Sequence, residues 1–137
     1  MINRLLLAVL LATTSTGIAG CSSSDDLGTR YSVSGKVTFS GSPVSEGEIS
    51  FVDKSTGGSD AATLASDGSF QVSLPAGSFA VVITPPTIMV DEEENTEPYE
   101  SFKDVPNIPE KYRTSNETPI AISINADSSD NSFDMVP

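Results

Sequence analysis

Histidine and tryptophan are absent from this 137-residue chain, cysteine occurs once, and only 7 Lys and Arg face 19 Asp and Glu. Without histidine there is no Ser-His-Asp or Cys-His nucleophile system, no imidazole metal ligand, and no side chain that titrates near neutral pH by default. One cysteine excludes a disulfide within the chain. The net charge of -12 repels phosphate backbones, which argues against nucleic-acid binding driven by counterion release. It equally disfavours docking of the protein body on anionic lipid. The length accommodates one ordinary domain.

What is present begins with a leader. Arg4 is the only charge before Asp25, and it stands directly ahead of the apolar run LLLAVLLA at residues 5–12. A charged start followed by a short apolar stretch is the pattern of a secretory signal. The run is too short for a membrane span, which needs about 20 apolar residues in a helix. Next comes Ile18-Ala19-Gly20-Cys21, an aliphatic residue, two small residues and cysteine, which resembles the lipobox of bacterial lipoproteins. The resemblance implies a signal peptide over residues 1–20, cleavage between Gly20 and Cys21, and a diacylglycerol on the Cys21 thiol. The alternative is an unmodified thiol in an ordinary leader. Attached acyl chains contribute about 0.8 kcal/mol per buried CH₂, so they hold a domain at a membrane without help from its surface charge.

Removal of residues 1–20 takes Arg4 away, leaving 6 basic against 19 acidic residues, a net of -13. Residues 21–30 then comprise the lipidated cysteine and a flexible tether rich in Ser, Asp and Gly. Ser22 occupies the position where Asp would resemble an inner-membrane retention signal, which favours the outer membrane over the inner. The expected location is the cell envelope, extracytoplasmic and lipid-anchored.

From Tyr31 onward the apolar period is two. Val33, Gly35, Val37 and Phe39 alternate with Ser34, Lys36, Thr38 and Ser40, as a half-buried strand requires. Phe70, Val72 and Leu74 repeat the pattern, as do Phe79, Val81 and Ile83, where Ala80 and Val82 on the other face predict a more buried strand. Ile120, Ile122 and Ile124 form another. Shorter strands are expected over residues 48–53 with Ile49 and Phe51 inward, 61–66 with Leu64 inward, and 132–135 with Phe133 and Met135 inward. Turn residues separate them. Asp67-Gly68 between alternating segments predicts a type I′ hairpin pairing residues 61–66 with 69–74. Seven short strands with frequent turns predict an all-β sandwich over residues 31–137.

The acidic stretch near residues 85–118 is too long for a structureless loop inside a domain. Residues 87–90 are expected to extend a strand or form an edge, residues 98–104 to make a partly exposed turn, and residues 106–112 to run as polyproline-like chain or a single helical turn. Residues 91–100 are the expected site of disorder.

With these strands placed, Gly35-Lys36-Val37, Pro43-Val44 with Gly47 before Ile49 and Phe51, Asp67-Gly68-Ser69-Phe70, Pro75-Ala76-Gly77 before Phe79, and Pro109 with Lys111-Tyr112, Thr118 and Ile120 follow one another in order. Together they resemble the carboxypeptidase-regulatory-like, transthyretin-like domains of small bacterial lipoproteins. The resemblance implies a seven-stranded Greek-key β-sandwich. It does not imply a peptidase, because a fold alone does not supply an activity.

Several side-chain groups invite chemistry. Asp91, Glu92, Glu93, Glu94, Glu97 and Glu100 are hard oxygen donors suited to Ca²⁺, though the EF-hand spacing is absent and a self-repelling solvated loop is the plainer reading. Asp127, Asp130 and Asp134 raise the same question. Glu46 with Glu48, and Asp53 with Asp60, are carboxylate pairs without an apolar pocket to raise a pKa for acid–base work. Lys111-Tyr112 suits sugar or carboxylate recognition, or else packs the Tyr112 ring over the sandwich edge. Asn116-Glu117-Thr118 matches a glycosylation acceptor, read here as coincidence. No catalytic residue, metal site or cofactor is expected. The expected function is a non-enzymatic, lipid-anchored envelope module with a structural or adhesive role. The alternative is a carbohydrate- or peptide-binding module using Tyr99, Phe102 and Tyr112. The expected partners are the membrane, through the N-terminal lipid, and a protein or glycan, with no nucleic acid.

Overall fold

Period-two patterning becomes strand within residues 28–91 and 97–137, which the computed structural model describes. The leader at residues 1–20, Cys21 and most of the tether lie outside them. In chain order the elements are β1 (Arg30–Phe39), β2 (Ser42–Pro43), β3 (Glu48–Asp53), β4 (Ser59–Thr63), β5 (Ser69–Pro75), β6 (Gly77–Thr84), β7 (Thr87–Val90), β8 (Tyr99–Phe102), a 3₁₀ turn (Glu110–Tyr112), β9 (Ala121–Ile124) and β10 (Ser128–Met135). The protein is all-β. Each of the seven expected strand segments falls on a strand, β7 occupies residues 87–90, expected to extend a strand or form an edge, and β2 and β8 are additional. β10 begins four residues before the expected Ser132, in a serine- and aspartate-rich stretch that carries no apolar signal.

Two sheets face each other across one core. In the first, β1 pairs in parallel with β10, and antiparallel with β5 along Arg30–Lys36 and with β2 at its end. The second has the order β4-β3-β6-β9, with every pairing antiparallel. Inward residues meet between them: Val33, Val37, Phe70, Leu74, Phe133 and Met135 from the first sheet, and Ile49, Phe51, Phe79, Val81, Ile83 and Ile124 from the second. Phe51 joins the layers, with its ring centroid 5.7 Å from Phe70 and 6.4 Å from Phe133. The expected facing of β1, β3, β5 and β6 therefore holds, and all five residues of Phe79–Ile83 in β6 are buried.

The hairpin expected around Asp67-Gly68 is corrected. Residues 61–66 and 69–74 do not pair: β4 lies against β3 in one sheet and β5 against β1 in the other. The local turn is real but different. The Gly68 N–H donates to the Ala65 carbonyl at 2.8 Å and the Ala65 N–H to the Ser69 carbonyl at 2.9 Å, and only Gly68 has positive φ, +78°. This is a three-residue loop closed by a left-handed glycine rather than a type I′ turn, which requires positive φ at both central residues. Leu64 leaves the second sheet through a bond from its N–H to the Gly47 carbonyl at 2.9 Å, and the Gly68 carbonyl accepts from Val37 of the first sheet at 2.9 Å. The chain turns a corner between layers at this point.

β9 pairs only with the first half of β6, Gly77–Ala80. Beside the second half, Val81 donates to the Ile120 carbonyl at 2.9 Å and its own carbonyl accepts from the Thr118 hydroxyl at 2.6 Å. Val105, Ile108 and Tyr112 from the preceding segment join the core. The expected single helical turn within residues 106–112 is the 3₁₀ turn. Arg113 fixes it by donating from Nε at 2.9 Å and Nη2 at 2.6 Å to the Ile108 carbonyl.

Candidate functional site

The sandwich has two distinct ends. Arg30, where the described strands begin, pairs in register with Pro75, and its guanidinium bonds Asp60 at 2.7 Å and also the Ser73 carbonyl. That end also carries the β5–β6 turn. The opposite end carries Phe39 beside Met135, the β4–β5 corner, and Glu48 in register with both Thr63 and Thr84. β1 separates the two by about 30 Å at about 3.3 Å per residue.

At this second end the chain leaves β6 through Pro85-Pro86 and forms β7 and β8, a two-stranded antiparallel ribbon with Thr87 opposite Phe102 and Val90 opposite Tyr99. Proline lacks a backbone donor and fixes φ, so the pair breaks the β6 ladder and lets the chain diverge from the sheet. The Lys103 N–H donates to the Pro86 carbonyl at 2.8 Å and closes the root of the ribbon. Residues 98–104, expected as a turn, thus include a strand, and Tyr99 and Glu100 of the expected disordered stretch belong to it. Residues 92–96 lie outside the described residues.

Among the described residues five large apolar side chains are exposed, and four of them are on this ribbon: Ile88, Met89, Tyr99 and Phe102, with 45–62% of their surface open. The register assigns Ile88, Val90, Tyr99 and Ser101 to one face and Thr87, Met89, Glu100 and Phe102 to the other. Both faces are apolar in part. Isolated exposed apolar residues are ordinary, but two large ones exposed together on each face of a short ribbon point to an interaction surface.

A groove of about 630 Å³ runs along the ribbon's root, lined among others by Glu46, Glu48, Leu64, Pro86, Thr87 and Phe102. Glu46 holds the Lys103 ammonium at 3.0 and 2.7 Å through its two oxygens. The Glu48 carboxylate accepts from the Ser50 hydroxyl at 3.3 Å. Gly47 shapes the groove floor: its φ is +122°, and a Cβ there would lie 2.6 Å from the Thr84 carbonyl oxygen.

The other carboxylates named from the sequence serve turns and strand ends. Asp53 accepts from the Ser55 N–H and hydroxyl at 2.7 and 2.6 Å, and Asp67 from the Ser69 hydroxyl and N–H at 2.6 and 3.1 Å. Asp134 accepts from the Thr38 hydroxyl at 2.6 Å and the Gly41 N–H at 3.0 Å. These bonds favour the charged form and hold all three pKa values below the ordinary carboxylate value. Asp127 accepts from the Ser32 N–H at 2.8 Å, and Asp130 adopts φ +61° at a bulge between β1 and β10. Among the described residues no three carboxylates converge as metal ligands. Glu92, Glu93 and Glu94 lie outside them.

Lys111 and Tyr112 do not form an open pair. The Tyr112 ring is 2% exposed within the core, which corrects its expected place over the edge. Lys111 lies 5.2 Å from the ring centroid and donates to the Pro137 carbonyl at 2.7 Å. Tyr99 and Phe102, separated by three positions in one strand, face opposite ways, so the three aromatics named from the sequence share no platform. Glu117 accepts from the Thr114 hydroxyl at 3.1 Å, and Asn116 is exposed.

Sequence reasoning missed Ile88 and Met89. The available signal was an apolar Thr87–Val90 placed between a proline pair and an acidic run, with no second apolar strand of matching period to cover it. No family model, curated protein or solved structure matches this chain.

Proposed function

We propose that the chain is a non-enzymatic, lipid-anchored extracytoplasmic module of the bacterial envelope that makes protein contacts through the β7–β8 ribbon. The observation that carries this reading is the position of the ribbon. Its root lies at the end of the sandwich opposite Arg30, where the tether joins the body, so an anchor at Cys21 leaves the exposed apolar ribbon facing away from the membrane. The leader and Ile18-Ala19-Gly20-Cys21 supply the anchoring. The acidic body is compatible with an anchor that relies on acyl chains and not on charge.

The seven longer strands in two facing sheets accord with the Greek-key, transthyretin-like arrangement that the ordered motifs suggest. A contact role fits better than catalysis because Asp53, Asp67, Asp127 and Asp134 are engaged as acceptors at turns and strand ends and Asp91, Glu97 and Glu100 stand exposed to solvent. A protein partner fits better than a glycan because no two exposed aromatics combine into a stacking surface.

Mass spectrometry of the chain recovered from a bacterial membrane fraction tests the anchor. The expected species has lost residues 1–20 and carries acyl mass on Cys21. An uncut leader or a free thiol overturns the reading.

A further inference from the structure

The ribbon and groove together specify what they bind. Met89 and Phe102, exposed on one ribbon face, provide the contact area, and the charged groups around them are almost all of one sign. Asp91, Glu97 and Glu100 are exposed on or beside the ribbon, and Glu46 and Glu48 line the groove at its root. The nearest cation, Lys103, is already paired with Glu46.

That ion pair shows the groove margin receiving an alkylammonium between two carboxylate oxygens. Phe102 lines the same groove and is also an exposed ribbon residue, so one occupant can touch the apolar face of Met89 and Phe102 and the acidic margin at once.

We infer that the ribbon and groove bind a protein segment in which apolar side chains alternate with Lys or Arg. The inference rests on the contact role proposed above and adds the partner's chemistry. The apolar side chains bury Met89 and Phe102, while the cations meet Glu48 and Glu100. Complementary charge gives selectivity and speeds encounter, and burial of the apolar groups supplies the larger share of affinity. Three other occupants fit less well. A second copy brings the same acidic surface and a net charge of -12. An anionic lipid surface meets Asp91, Glu97 and Glu100. A glycan finds Tyr99 and Phe102 on opposite faces.

The test uses the purified chain and fluorescence anisotropy with three short synthetic peptides: alternating Leu-Lys, alternating Leu-Glu and alternating Ser-Lys. Leu-Lys is expected to bind at least about tenfold more tightly than either of the others. Met89→Ser and Phe102→Ser, singly, are expected to weaken Leu-Lys by about fivefold or more, as for the minority of interface residues that carry most of the binding energy. The Glu48→Gln/Glu100→Gln variant leaves the Glu46–Lys103 pair in place and is expected to flatten the salt dependence of binding. Thermal unfolding of each variant confirms that it remains folded.

Equal binding of Ser-Lys reduces the effect to bulk charge and overturns the inference. So does equal binding of Leu-Glu, absence of binding to all three peptides, preferential binding to phosphatidylglycerol vesicles, or a concentration-dependent dimer that Met89→Ser abolishes. If Met89→Ser abolishes binding of a peptide other than Leu-Lys, the partner's charge is wrong and the ribbon's contact role stands. If neither ribbon variant changes binding of any probe, the contact role falls with it.

Discussion

The Tyr112 hydroxyl exchanges two hydrogen bonds with the backbone of Val136: it donates to the carbonyl at 3.2 Å and accepts from the N–H at 3.0 Å. The ring lies in the core beside the 3₁₀ turn, so one side chain ties the crossing segment to the residue that follows β10. Tyr112→Phe retains the ring and leaves both Val136 groups to find other partners. The expected loss is about 1–2 kcal/mol, read as a lower urea midpoint. Tyr112→Ala also removes core volume and is expected to cost about 3–5 kcal/mol. Equal midpoints for Tyr112→Phe and wild type would show that the bonds contribute nothing net.

Gly35 pairs with Asn131 of β10. A Cβ at this position would come 2.1 Å from the Asn131 carbonyl oxygen, a backbone atom that cannot swing aside. Asn131 is itself held by bonds from its side-chain amide to the Ser34 carbonyl at 2.8 Å and the Ser128 hydroxyl at 3.1 Å. Gly35→Ala should therefore destabilise by about 1–3 kcal/mol or more, with hydrogen exchange accelerating along β10. Gly58→Ala has only the Thr56 hydroxyl nearby, at 3.3 Å, and should stay within about 0.5 kcal/mol of wild type.

Phe51 of the second sheet meets two aromatic partners of the first, Phe70 and Phe133, which stack on each other at 5.9 Å. Phe51→Ala should lose about 3–5 kcal/mol, enough to consume much of the stability of a small domain. A melting temperature within a degree or so of wild type, at a few degrees per kcal/mol, would contradict the observed packing.

Acid should loosen the turns. Asp53, Asp67 and Asp134 have pKa values below the ordinary 3.8 because hydroxyl and N–H donors stabilise their carboxylates. A lowered folded-state pKa means that the unfolded chain binds protons first as pH drops. The stabilisation is therefore complete above the ordinary carboxylate range and is lost as pH falls below it, through the lowered folded-state pKa values. Urea midpoints should hold steady from neutrality to about pH 5 and decline below that. Asp67→Asn and Asp134→Asn together should make the decline shallower, and an unchanged slope would refute this assignment.

Much of the sandwich was legible because alternation is local. Val33 and Val37, Ile49 and Phe51, and Phe70 and Leu74 each announce a strand and its inward face within a few residues. Pairing is not local. Asp67-Gly68 correctly marks a reversal, but whether the two flanking strands meet depends on β3 and β1 competing for them from elsewhere in the chain. β10 begins at Ser128 because β1 offers it a ladder, while residues 128–132 contain no apolar side chain. The burial of Tyr112 was hidden for a related reason: the opening it fills exists only because β9 stops at the middle of β6. The candidate site was least legible of all: residues 87–90 are expected to extend a strand or form an edge, but the exposure of Ile88 and Met89 depends on the proline pair turning them away from the sheet.

The parallel arrangement of β1 and β10 has a practical corollary. The two strands point the same way, so the polypeptide enters at the Arg30 end and Pro137 emerges at the far pole, near the ribbon's root. An affinity tag or fluorescent fusion appended after Pro137 would crowd that pole and compete with any visitor to it, whereas a label inserted in the tether upstream of Arg30 would leave it unobstructed.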